Sequence, residues 1–286
     1  MKLGIMSYRA IFLCLTIFVL GLFISSCRGE NDYARLLHAE SLVDSLPDSA
    51  KNVLTCISYE TLKDDRDRAL YALVNEEIIY KFREKNTNDS QIEFAISKFR
   101  EERDKIRLMK GLFQSSQIKF NKGEFKESIK GALESLDIAR EENNAEYLAK
   151  INEHIADILC VNFCSIEGIQ YREEAIKYYD SIGRDRNRMF AIVDKAKDLR
   201  NFENYDSSLI VLDQLIPKIP KEDTTLMCYA YQTKLDPLLA LGKNKSALKL
   251  WDTIQALSAG GTFYPDVRRW LDVAVANNEQ EIFFLL

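Results

Sequence analysis

A chain of 286 residues that is 47% hydrophobic but holds only 11 Gly and 5 Pro can bury a sizeable core. It has too few turn formers for a fold of many short strands, so helices joined by short connections are expected. The formal charge of −5, from 39 basic and 44 acidic side chains interspersed along the chain, excludes the grouped cationic face that a phosphate backbone requires, and no nucleic-acid partner is expected.

Met1 to Arg9 carries two positive charges and no negative one, and Ala10 to Ile24 is apolar apart from Thr16 and Gly21. A membrane-crossing helix needs about 20 apolar residues, whereas a signal sequence needs about 7–15 followed by small residues. Residues 1–26 therefore read as a signal peptide. Ile24-Ser25-Ser26-Cys27 resembles the bacterial lipobox, which implies lipidation at Cys27 and attachment of the mature chain to a membrane through that lipid. Residues 27–32 form a short linker; its acids Glu30 and Asp32 behind Arg28 are a weak version of a surface-export tract. The expected address is the cell envelope, at the periplasmic face of the outer membrane, with the cell surface as the alternative.

From residue 33 to 286 the pattern is helical. Asp32–Asp44 places Leu36, Ala39 and Val43 on one side, and Ser45 and Asp48 are expected to cap the next helix around Pro47 at its first turn. Asp65–Glu84 turns Leu70, Leu73, Val74 and Ile78 inward, and a partner starts at Asp89-Ser90. Lys105–Asn121 precedes Lys122–Ala139, whose Phe125, Ile129, Ala132, Leu136 and Ala139 recur at helical spacing after a turn at Gly123. Ala145–Cys164, Arg172–Ile182, Arg186–Asn201, Tyr205–Ile216, Thr224–Leu241 and Lys245–Leu257 continue the series. Pro237 is expected to kink or split its helix. Pro265 opens a last helix through Trp270 and Val273, and Ile282–Leu286 is an apolar tail that offers a route to self-association.

The small residue that lets a second helix close on its neighbours falls at Ala50, Ala95, Ser128, Ala175, Ser208 and Ala247, separated by 45, 33, 47, 33 and 39. With the turn segments Gly123-Glu-Phe125, Tyr171-Arg-Glu-Glu-Ala175, Asn204-Tyr205 and Gly242-Lys-Asn-Lys-Ser-Ala247, this resembles the tetratricopeptide family, whose repeat is about 34 residues. LLHAESLVDSLPDSAKNVL near the start and FAISKFREERDKIRLMKGLF in the middle look like the helical-repeat ectodomains of Bacteroidales envelope sensor proteins. The resemblance implies an all-α, right-handed superhelical solenoid of about six and a half antiparallel hairpins. It further implies a concave groove lined by first-helix positions: Phe113, Gln117, Phe120 and Asn121, then Phe190, Val193, Lys197, Arg200 and Asn201, then Tyr229 and Gln232. Such a groove suits a peptide or protein partner. A sensory ectodomain working through a membrane-spanning partner is the alternative.

Chemistry is sparse. The two histidines, His38 and His154, lie in no metal signature; Cys160 and Cys164, one helical turn apart, read as buried cysteines of a helix interface, an i, i+4 disulfide being geometrically unusual, and Cys56 and Cys228 lie in other repeats. With no phosphate loop, nucleophile elbow or paired-carboxylate motif among the acids, we expect no enzyme activity, no cofactor and no metal.

Overall fold

The computed structural model describes residues 32–86, 88–162, 166–258 and 273. The expected signal peptide, Cys27, Cys164, the helix expected from Pro265 (apart from Val273) and the apolar tail lie outside the described residues. Those described form twelve α-helices and no strand: α1 (Asp32–Leu42), α2 (Pro47–Thr55), α3 (Asp65–Lys81), α4 (Ser90–Glu102), α5 (Lys105–Lys122), α6 (Phe125–Glu141), α7 (Ala145–Asp157), α8 (Glu167–Ser181), α9 (Asp185–Asn201), α10 (Tyr205–Leu215), α11 (Thr224–Ala240) and α12 (Asn244–Ser258). None is long and apolar enough to cross a membrane.

The chain divides into two compact units, Met1–Arg103 and Asp104–Leu286. In the first, Leu36, Ala39 and Val43 of the α1 segment meet Ala50 and Leu54 of α2 and Leu70, Val74 and Ile78 of α3. In the second, three apolar clusters each bridge one hairpin to the next. Ala149 of α7 meets Ala175 and Tyr179 of α8 and Ala191 of α9; Val193 and Ala196 of α9 meet Leu212 of α10 and Leu226 and Ala230 of α11; Leu209 and Leu238 meet Ala247, Trp251 and Ile254 of α12 and Val273. A hairpin that cannot bury its own stripe thus buries it against its neighbour, as in a repeat array.

The six small residues expected in the second helices are all fully buried. Two are hydroxylic, and each spends its proton on the preceding helix: Ser128 Oγ donates to the Ser116 carbonyl at 2.8 Å and Ser208 Oγ to that of Ala196 at 2.7 Å. A hydroxyl here crosses the tightest point of the hairpin without an unsatisfied polar atom.

Five turns of the 104–286 unit share one geometry. After α5 the amide of Glu124 reaches back to the Lys119 carbonyl across a left-handed Gly123. Asn144 does the same to Ala139, Arg184 to Tyr179, Asn204 to Leu199 and Lys243 to Leu238, across left-handed Asn143, Gly183, Glu203 and Gly242. These are Schellman closures, which satisfy carbonyls left open at a helix end.

Five expectations are corrected. Leu46, not Ser45, precedes α2, and no side chain caps it. α6 starts at Phe125 rather than Lys122, and α8 at Glu167 rather than Arg172. The helix expected to run from Ala145 to Cys164 leaves α-geometry at Ile158, where Ile158–Asn162 is π-helical. Pro237 does not split α11, which continues to Ala240, because it sits one turn from the end, where few following bonds depend on it.

Candidate functional site

Two pairs of first helices in the 104–286 unit touch side by side, α5 with α7 and α9 with α11. Phe113 of α5 packs edge-on to Tyr147 and His154 of α7, and Phe190 of α9 lies 6.0 Å from the Tyr229 ring of α11. Tyr229 donates its hydroxyl to Asp194 of α9, and Arg200 of α9 pairs with Asp236 of α11 and reaches Asn201 Oδ1 at 2.8 Å. These contacts make α9 and α11 one surface.

Of the residues expected on it, Asn121 and Asn201 are exposed, and Gln117, Phe120, Phe190, Lys197, Arg200, Tyr229 and Gln232 are half-buried. Two are not available. Phe113 is 1% exposed and Val193 fully buried, because their side of the helix meets the next hairpin; both are core. The helical period shows which residues share a stripe, but the neighbouring repeat decides how wide the covered sector is.

Sequence reasoning missed the ionic cluster beside this surface. Arg172 of α8 is 1% exposed. It donates to Asp157 of α7 at 2.6 Å through Nη2, to Asp198 of α9 at 3.0 Å through Nε, and to the Glu153 carbonyl at 3.3 Å through Nη1. Glu153 in turn accepts from the Tyr179 hydroxyl at 2.7 Å. Glu153, Asp157, Asp194 and Asp198 therefore surround one guanidinium and tie α7, α8 and α9 together, with Tyr229 of α11 joined through Asp194. The signal was present as an Arg in the apolar stripe of α8, seven residues before Tyr179 and three before Ala175, and as acids at i, i+4 in α7 and α9.

The electrostatics follow from acids outnumbering the buried cation. Burial raises the Glu153 carboxyl to about 7 against the pull of Tyr179 and Arg172, and burial also raises Asp194 and Asp198. For Arg172, burial works against the charge but Asp157 and Asp198 outweigh it, so the guanidinium is held protonated. The π-helical Ile158–Asn162 segment lies beside this cluster. Its Cys160 is buried, and Gly168 of α8 passes so close that a Cβ there would stand 2.4 Å from Cys160 Sγ.

His154 sits at the α5–α6–α7 junction. Its Nε2 is 2.9 Å from Ser116 Oγ and 3.3 Å from Ser128 Oγ, between the Phe113 and Phe120 rings. Ser116 already donates to the Ser128 carbonyl at 2.7 Å and Ser128 to that of Ser116, so the pattern closes with the imidazole carrying its proton on Nε2. In that tautomer Nε2 cannot take a proton from Ser116, and burial holds the imidazole at about 4, neutral. This Ser–His contact joins helices. Among the described residues no group of three or more His, Cys, Asp or Glu is arranged to hold a metal ion.

No family model and no curated protein matches the sequence. Several solved structures share its architecture. The TPR-like repeats of a putative kinesin light chain from Podosopora anserina superpose with a TM-score of 0.58 at 11% identity, covering 71% of this chain and 100% of that one. The apo form of RapI gives 0.60 at 16%, covering 89% and 93%, and NprR in complex with its cognate peptide NprX gives 0.61 at 14%, covering 88% and 74%. At such identities the likeness concerns the fold: the helical hairpins are TPR-like repeats.

Proposed function

We propose that the protein is a non-enzymatic binding scaffold that holds a peptide, or an extended segment of a partner protein, against the first-helix face of the 104–286 unit. The observation that carries this reading is the joining of α9 and α11 into one surface on which Lys197, Arg200, Asn201, Tyr229 and Gln232 mix amide, basic and aromatic groups. Amides and a guanidinium suit main-chain carbonyls and amides, and rings suit apolar side chains. That NprR was solved holding a peptide supports the reading for the fold. The lipobox-like segment supports an anchor at Cys27, with the scaffold in the cell envelope.

Crosslinking in intact cells followed by mass spectrometry tests both parts. Wild-type protein should yield a defined partner that is lost when the solvent-facing positions are changed (Lys197→Glu with Asn201→Arg), and Cys27→Ala should abolish the lipid-bearing processed form. A partner retained by the double variant would move the interface elsewhere.

A further inference from the structure

Two cavities open between successive second helices of the 104–286 unit, and α10 is a wall of both. One, of about 240 Å³, has an aliphatic floor of Ile176, Met189, Ile192 and Val211, with Arg188, Lys195 and Lys218 around it. The other, of about 430 Å³, has Leu209, Leu238 and Leu250 as floor, with Lys234, Lys243, Lys249 and Asp213 around it.

At about 100° per residue, Arg188, Ile192 and Lys195 stand about 140–200° around α9 from Phe190, and Lys234 and Leu238 stand about 140–180° around α11 from Tyr229. The cavities are therefore on the side of α9 and α11 that faces away from the first-helix surface. Lys195 and Lys234 occupy the same place in consecutive repeats, each five residues after one of the neighbouring rings Phe190 and Tyr229.

The charge is one-sided. In a chain where acids outnumber bases, the two linings hold six bases and one acid. Part of it is neutralised locally, Lys195 by Glu173 at 2.6 Å, Arg188 by Asp180 at 3.2 Å and Lys234 by Asp213. Lys218, Lys243 and Lys249 are exposed at the mouths. Aliphatic floors with no aromatic side chain among the lining residues offer no stacking platform for bases. Leucine-type side chains flanked by carboxylates match both the floors and the rims.

We propose that the two cavities form a second docking surface, for an acidic segment of a partner protein that carries large aliphatic side chains. Its carboxylates engage Lys218, Lys243 and Lys249, and its aliphatic side chains enter over Ile192 and Leu238.

The test is fluorescence anisotropy with the full chain and a labelled amphipathic peptide built of Glu and Leu. Saturable binding should weaken about tenfold or more in Lys218→Glu/Lys243→Glu/Lys249→Glu, whose exposed positions leave the core intact, and should weaken as salt rises. The Lys197→Glu/Asn201→Arg variant should bind this peptide like wild type, which separates the result from the first-helix face. Equal binding by the charge-reversed protein, or equal binding of a Lys and Leu peptide, would overturn the proposal. So would a wild-type dimer that charge reversal dissociates and that binds no peptide, since a second copy would then be the occupant.

Discussion

Arg172 shows what one side chain can hold. Replacing it by Met would leave Asp198 buried with its cation gone and Glu153 without its opposing charge, a change that costs about 3–5 kcal/mol when one partner of a buried pair is removed. Urea unfolding of Arg172→Met should show a loss of that size, and Asp198→Asn a smaller one, because Asp157 still faces the guanidinium. Two neighbouring residues give opposite pH responses. The folded Glu153 keeps its proton up to about pH 7 while the unfolded carboxyl releases it near 4.5, so its contribution is full below 4.5 and lost as pH rises through 7. The folded His154 resists protonation until about pH 4 while the unfolded imidazole accepts it near 6.5, so stability falls as pH drops through that window. Glu153→Gln should remove the first response only. Relative to wild type it should gain about 1–3 kcal/mol at pH 8 over its value at pH 4, from about 1.4 kcal/mol per pKa unit, read as melting temperature against pH. Phe113 belongs to the same scale: with its ring between Tyr147 and His154, Phe113→Ala should cost about 3–5 kcal/mol of stability, whereas a groove residue would lower binding alone.

At the scale of the element, two glycines in helices should respond in opposite directions to the same change. Gly168→Ala places a methyl 2.4 Å from Cys160 Sγ and 3.1 Å from the Cys160 backbone nitrogen, so α8 must move off the π-helical segment. Overpacking of this kind costs about 1–3 kcal/mol. Gly131→Ala in α6 meets nothing nearer than 3.7 Å and should gain about 0.5–1 kcal/mol by removing backbone freedom from the unfolded chain. Thermal unfolding of the two variants side by side measures both. The helices themselves were largely legible, since apolar stripes and the small residues at Ser128, Ala175 and Ser208 need only a 3.6-residue period. The left-handed closures at Asn143 and Glu203 were not, because a non-glycine residue enters that conformation when the following amide finds a carbonyl five residues back, and no residue type announces this.

For the whole molecule, the apolar clusters of α7 to α12 draw only on residues after Asp104, and Asp104 accepts from the Arg107 amide at the start of α5. A fragment of residues 104–286 should therefore unfold cooperatively and retain binding at the first-helix face, checked by circular dichroism and by the same crosslinking assay; loss of cooperativity would show that the first unit is needed for the second to fold. What the sequence determined by itself was the local content: helices, their pairing in order, and the small residues at their crossings, all set by spacing along one chain segment. The tertiary structure alone decided that Phe113 and Val193 are core while Phe120 and Lys197 reach the surface, and that Arg172 gathers acids from α7 and α9. Both depend on residues one or two hairpins away, and the period of a single helix says which side chains share a stripe but not how much of it the next repeat covers.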